Sequence, residues 1–229
     1  MTIRIAVFDA YGTLFDVAAA ARRAAAESGG AALAEHWQSL AAIWRDKQVQ
    51  YTWHRAITGA HTDFWQVTCD SLDYALEATG LLGNAALRDR LLALYRELDA
   101  YPEVPEMLAR LREAGMQTAI LSNGAPGMLA DAVNSAGIGD SLDAVLSVEE
   151  VGIFKPDARV YDLVGKHFPG DRAEVLFVSS NGWDAAGASG YGFTTAWVNR
   201  MGLPMERLPW TPQHVLADLT PIPDLATGK

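Results

Sequence analysis

The sequence predicts an α/β fold built on a doubly wound, mostly parallel sheet, with an α-helical cap inserted after the first strand. Three observations predict it. Short runs rich in β-branched residues recur along the chain with helical stretches between them, the alternation that builds parallel sheets. These runs are mostly apolar, as strands buried on both faces are. Strand signals vanish between Asp16 and Asp99, where helical periodicity takes over.

The elements follow in order. Residues 3–8, Ile-Arg-Ile-Ala-Val-Phe, read as a buried strand that ends at Asp9, with Gly12 breaking the run. In the helical stretch, Trp37, Leu40, Ala41, Trp44 and Gln48 share one face, as do Leu87, Leu91, Leu94 and Leu98. Both stripes read as helix-packing core. A helix over 105–114 stops at Gly115, and a strand follows over Gln117 to Leu121. A helix over 127–136 stops at Gly137, and Ala144 to Leu146 form a shorter strand. A helix over 157–168, a strand from Val175 to Val178 and one from Thr194 to Val198 complete the pattern. Order is expected to end at the Pro-rich tail after Thr220. This divides the chain into a catalytic core, residues 1–15 and 100–229, and a cap, residues 16–99.

With 229 residues, half of them apolar, the chain suits one core with a modest insertion, since single cores stop growing near roughly 250 residues. The net charge of -10 speaks against nucleic acid and against anionic lipid as partners, because both need a basic surface. An anionic small substrate requires local cations that overcome this field. No run approaches the ~20 apolar residues of a membrane span. The first residues, Met1 to Ile5, carry no signal-peptide pattern, so a soluble, cytoplasmic protein is expected. The single cysteine, Cys69, rules out an intrachain disulfide and a multi-cysteine metal site. It reads as a small buried hydrophobe in a cap helix.

Four separated features converge on the carboxyl edge of the sheet, where open α/β sheets bind ligands. They are Asp9-Ala10-Tyr11-Gly12-Thr13-Leu14-Phe15, then Leu121-Ser122-Asn123-Gly124, then Lys155-Pro156-Asp157, then Ser179-Ser180-Asn181-Gly182-Trp183-Asp184. Singly each has an ordinary reading: a strand-end aspartate caps a turn, and Lys155-Pro156 starts a helix. In this order, each at an element boundary, they resemble the four motifs of the haloacid dehalogenase superfamily, which sit on a Rossmann-like core. The resemblance spans nearly the whole chain, cap included.

Most members of that superfamily are Mg²⁺-dependent phosphotransferases with a second aspartate two residues after the nucleophile. Here that position is Tyr11, and the glycine-aspartate pair that helps phosphatases hold Mg²⁺ is replaced by Ser179-Ser180, which removes a hard-cation ligand. Halide, by contrast, leaves without a general acid. Its displacement needs an ionised carboxylate, a cation to keep it ionised, and donors for the halide. Asp9, Lys155 and Arg45 are of the types required. Asp-x-Tyr-Gly-Thr-Leu-Phe-Asp and Ser-Ser-Asn-x-Trp-Asp resemble the L-2-haloacid dehalogenases, as does the cap segment from Trp44 to Trp53.

The resemblance implies hydrolysis of small L-2-haloacids to D-2-hydroxyacids through an ester on Asp9, with no metal and no cofactor. It implies that Arg45 and Asn123 receive the halide, and that Ser122 and backbone N–H groups after Asp9 hold the substrate carboxylate. Lys155 and Asp184 would pair, with Asp184 serving the hydrolytic water. Thr13, Tyr161, Ser179 and Asn181 match the rest of the active-site set, Tyr11 lies on the substrate side, and Phe64 and Trp183 would form apolar walls. A homodimer formed partly through cap helices is also implied. Thr13 equally suits a turn cap, Tyr161 ordinary packing, and Arg45 a solvated helix charge. The five histidines share no metal-ligand spacing and are assigned no chemistry. Asp46 departs from the glutamine expected there. A carboxylate beside Arg45 is expected either to weaken halide binding or to reshape substrate preference, bearing on chain length and halogen and not on the reaction. The competing readings are a Mg²⁺-dependent phosphatase, a phosphoreceiver module and an inactive binding protein. The cap speaks against the second and the complete motif set against the third.

Overall fold

The computed structural model describes residues 2–27 and 30–228. Six parallel strands form one sheet in the order β3-β2-β1-β4-β5-β6. They are β1 (Ile5–Phe8), β2 (Gln117–Ser122), β3 (Ala144–Ser147), β4 (Val175–Ser179), β5 (Thr194–Val198) and β6 (His214–Leu216). The two central strands, β1 and β4, are buried at every residue, which explains why they read as unbroken apolar runs. Parallel strands need long crossovers, and helices supply most of them: α5 (Val104–Glu113), α6 (Pro126–Ala136), α7 (Ala158–His167) and α8 (Gly182–Tyr191). The expected strands and core helices are all present, their ends within one or two residues.

Between β1 and α5 the chain forms α1 (Ala19–Ala26), α2 (Trp37–Thr58), α3 (Phe64–Ala78) and α4 (Ala85–Arg96). Side-chain caps start two of them: Asp63 accepts from the Gln66 N–H, and Asn84 from the Leu87 N–H. Gly59, at φ 70°, ends α2. The α2 stripe buries Leu40, Trp44 and Gln48, with Trp37 and Ala41 partly covered. All four leucines of the second stripe are buried. The two chain crossings between this helical stretch and the sheet run side by side. Phe15 bridges Ala100, the Asp16 N–H donates to the Asp99 carbonyl at 3.0 Å, and the Tyr101 N–H to the Leu14 carbonyl at 2.9 Å.

Two expectations need correction. The tail after Thr220 is ordered: Ile222–Thr227 form a short helix, α9, with Ile222, Pro223 and Ala226 buried. A proline-rich composition suits a helix here because Pro223 sits in the first turn, where its missing N–H costs no hydrogen bond. Cys69 is only half-buried on α3. No helix among the described residues is long and apolar enough to cross a membrane.

Candidate active site

β1 delivers Asp9 to the carboxyl edge, where its N–H extends the ladder by donating to the Val178 carbonyl of β4 at 2.9 Å. The chain then turns back at Gly12, whose φ of 89° is one that L side chains rarely adopt. That turn returns Thr13 to Asp9, and the Thr13 hydroxyl donates to Asp9 Oδ2 at 3.0 Å. The same hydroxyl oxygen accepts the Ser180 N–H at 2.8 Å, so it ties the first and fourth motifs together. Among the described residues the hydroxyl bonds no backbone group of its own turn, so its contacts are those of the Asp9 shell and not of a turn cap.

Two further donors complete the shell of Asp9. Lys155 Nζ reaches Oδ1 at 3.1 Å, and Asn181 Nδ2 reaches Oδ2 at 2.9 Å. Three donors therefore occupy three of about four lone-pair sites of the carboxylate. Lys155 Nζ also donates to Asp184 Oδ2 at 2.9 Å, and both side chains are essentially out of solvent. Tyr161, fully buried on α7, donates to Asp184 Oδ1 at 2.8 Å.

Burial alone would lower the pKa of Lys155, but the charges of Asp184 and Asp9 and its hydrogen bonds to both outweigh this and hold it above its ordinary value. The Asp184 carboxyl is pushed above the usual range, first by burial and also by Asp9, while Lys155 and Tyr161 pull it back. The ammonium thus stands where two buried carboxylates would otherwise repel. Among the described residues no group of three or more His, Cys, Asp or Glu is placed to hold a metal ion.

In front of Asp9 lies a small cleft of about 20 Å³, far below the 370–600 Å³ of the larger clefts on the surface. Tyr11, Arg45, Phe64, Ser122, Asn123, Asn181 and Trp183 line it, so seven sequence-selected residues meet there with Asp9. Among the described residues that line it, Arg45 and Asp9 alone are charged. From α2, Arg45 donates to the Tyr11 carbonyl at 3.2 Å and to Asn181 Oδ1 at 3.1 Å, crossing from helical stretch to sheet. It is not a solvated helix charge. Asn123 Oδ1 accepts the Lys155 N–H at 3.0 Å, which leaves the amide NH₂ as the group available to a ligand. Ser122 Oγ accepts the Gly124 N–H at 3.0 Å and keeps its own hydrogen free to donate.

Tyr11 is buried between Phe64 and Tyr95, at ring separations of 5.8 and 5.6 Å. Burial raises its pKa well above the ordinary value, so the phenol stays neutral. Its hydroxyl is buried with no protein partner. A side chain at Gly124 would run into this ring, 2.7 Å from Cε2, so the second motif needs glycine there.

Asp184, Ser179 and Tyr161 stand behind the cleft, off its lining. Ser179 is fully buried and its Oγ accepts the Asn181 N–H at 3.1 Å, while Tyr161 reaches the site only through Asp184. Asp46 is exposed on α2. Adjacent helical residues point about 100° apart, so its carboxylate does not crowd Arg45 as expected.

Val49 and Thr52 also line the cleft and were missed. They stand four and seven residues after Arg45, a helical spacing that would have found them. His61 was assigned no chemistry, yet its Nε2 lies 3.1 Å from Glu149 Oε2, joining the α2–α3 turn to the segment after β3.

Residues 3–192 match the family described as haloacid dehalogenase-like hydrolase. The chain is 44% identical over 223 residues to (S)-2-haloacid dehalogenase 1 of Pseudomonas sp. (strain CBS-3), covering 97% of this chain and 96% of that one. It is 42% identical over 205 residues to (S)-2-haloacid dehalogenase 4A of Burkholderia cepacia, covering 90% and 87%. The solved L-2-haloacid dehalogenase of Xanthobacter autotrophicus with chloropropionic acid covalently bound superposes with a TM-score of 0.88, at 38% identity and 99% coverage of both chains.

Proposed function

The chain belongs to the haloacid dehalogenase-like hydrolases and, within them, to the (S)-2-haloacid dehalogenases, and on that premise we propose that it hydrolyses small L-2-haloacids to D-2-hydroxyacids with inversion, through an ester on Asp9. The observation that carries the reading is Asp9 itself. It is a carboxylate fixed by Lys155, Thr13 and Asn181, with about one lone pair left to face a small cleft in which, among the described residues, Arg45 is the other charge. A phosphate dianion would meet one cation there and no acid at Tyr11 to protonate a poor leaving group. A haloacid monoanion asks for less.

In the first step Asp9 attacks C2 from the face opposite the halogen. The C–O bond forms as the C–halogen bond breaks, and the halide leaves with the bonding pair toward Arg45 and the Asn123 amide. The Ser122 hydroxyl, with backbone N–H groups after Asp9, holds the substrate carboxylate. The start of α6 at Pro126, just beyond Asn123, adds a helix N-terminus that favours an anion. Phe64 and Trp183 are the apolar walls, and Tyr11 is a neutral member of the same lining.

In the second step water attacks the ester carbonyl carbon of Asp9 and passes a proton to Asp184. The bond from that carbon to the alkyl oxygen then breaks, and the alkyl oxygen takes the proton back from Asp184 as the product hydroxyl. Asp9 returns as a carboxylate by releasing the remaining proton to solvent, so the product leaves with an Asp9 oxygen. A raised pKa suits Asp184 to taking that proton. Lys155 balances whichever of the two carboxylates is charged. Ser179 and Tyr161 are positioning residues, acting through Asn181 and Asp184.

Residues 16–99 form the cap in this reading, and residues 1–15 and 100–229 the catalytic core. The enzyme works without metal or cofactor, in the cytoplasm, as a homodimer, and engages neither nucleic acid nor membrane. Light scattering tests the dimer. The reaction is tested by following chloride release from L- and D-2-chloropropionate by EDTA-treated protein. Chloride from the L enantiomer alone, with D-lactate, is expected. No chloride from either, with p-nitrophenyl phosphate cleaved once Mg²⁺ is restored, would make the protein a phosphatase instead.

A further inference from the structure

One face of α2 roofs two cavities in succession. Arg45, Val49 and Thr52 overhang the reaction cleft, and Trp53, Ala56 and Ile57 overhang a second cavity of about 600 Å³. Phe154 and Pro156, the neighbours of Lys155, line the second cavity from the core side. Trp183 lines both, and Trp53 packs against it edge to face at 5.3 Å. The two indoles are the partition between a small closed space and a large open one.

The outer cavity is apolar. Among the described residues that line it Asp157 alone is charged, and both Asp157 oxygens are already engaged by Arg159. Ile57 is 86% exposed and Leu208 42%, so two large apolar side chains stand in water at its mouth. Neither the helix packing of α2 nor the sheet requires them there.

We propose that this outer cavity is a subsite for the alkyl tail of 2-haloacids longer than chloropropionate, entered past the Trp183 indole. The inference rests on the dehalogenase reading above and names the substrate class it extends to. The carboxylate and halogen stay at Ser122, Arg45 and Asn123, and the C2 substituent runs along Trp183. From Val49 to Ala56 the helix advances about 10 Å, a distance an unbranched chain spans and a methyl group does not. The proposal requires the Trp183 side chain to turn aside so that the two spaces join. With no unpaired cation in the outer cavity, a tail ending in a second carboxylate is disfavoured.

The test compares octanoate with propionate as competitive inhibitors of L-2-chloropropionate turnover, and L-2-chlorooctanoate with L-2-chloropropionate as substrates. Each methylene that leaves water tightens binding about fourfold, so octanoate should inhibit at least about tenfold more tightly than propionate. Ala56→Trp fills the cavity and Ile57→Ser, at an exposed site safe for folding, removes apolar wall. Each should lower the ratio of chlorooctanoate to chloropropionate kcat/KM, by about tenfold for Ala56→Trp. If chloropropionate is turned over but octanoate binds no tighter than propionate, or its advantage survives both substitutions, the subsite is overturned and the dehalogenase reading stands. Chloride from neither substrate would overturn both.

Discussion

Lys155 Nζ stands 3.1 Å from Asp9 and 2.9 Å from Asp184, with all three side chains buried. Burial first, and the neighbouring carboxylate of Asp9 after it, raise the pKa of Asp184, while Lys155 pulls it back. Because the proposed hydrolytic step needs Asp184 ionised, activity should fall as pH drops through that raised value. The acid limb of kcat therefore lies above the ordinary aspartate value of about 3.9. Tyr161 stabilises the ionised form, so Tyr161→Phe should move the limb to higher pH. A rate loss uniform in pH, with the limb unmoved, would reduce Tyr161 to a packing role. Asp9→Asn should leave the fold intact by circular dichroism and reduce chloride release below ~1% of wild type, because an amide is not a nucleophile here. Residual activity of several per cent, with deamidation excluded by mass, would remove Asp9 from the mechanism.

At the scale of elements, the site depends on how closely α7 and α8 approach. Tyr161 reaches Asp184 past Gly187, where an added Cβ would lie 2.8 Å from the Tyr161 hydroxyl and 2.8 Å from Pro156 Cβ. Glycine is needed here for space and not for backbone freedom. Gly187→Ala should cost about 1–3 kcal/mol in urea denaturation, as overpacking does, and shift the acid limb as Tyr161→Phe does. Gly165, on the neighbouring helix α7, has nothing within 4 Å of the same added atom. Gly165→Ala should therefore be neutral or slightly stabilising. Equal losses at both positions would mean that the α7–α8 contact is not the cause.

The whole molecule closes the sheet with segments the periodicity does not mark. β6, three residues long, pairs with β5, and α9 packs against α5. Burying a side chain such as Ile222 contributes roughly 1.5–3 kcal/mol. Ending the chain at Thr220 should therefore lower Tm by about 5–10 °C, as a few kcal/mol does in a chain of this size. An unchanged Tm would mean that the tail contributes nothing to the folded state. The His61–Glu149 contact acts at the same scale, since it and Arg45 both link the helical stretch to the sheet.

The sequence by itself determined the sheet, the helical insertion and the order of the four motifs, because these are written locally. A parallel strand buried on both faces must be an apolar run, a helix must carry its stripe, and the residue that ends a central strand arrives at the edge where ligands bind. It also supplied the chemistry through residue type: Asp9 with Tyr11 two residues on, and Ser180 in the fourth motif. Only the tertiary structure decided which groups touch. Asp9 finds Lys155 and Asn181 146 and 172 residues away along the chain, and His61 finds Glu149 88 residues away. Strand order and helix packing set those separations, and nothing local encodes them. For the same reason Asp46, adjacent to Arg45 in sequence, faces water. Tyr161, an ordinary aromatic in its helix, becomes the hydrogen-bond partner of Asp184, because direction on a helix and distance across a sheet are properties of the packed chain.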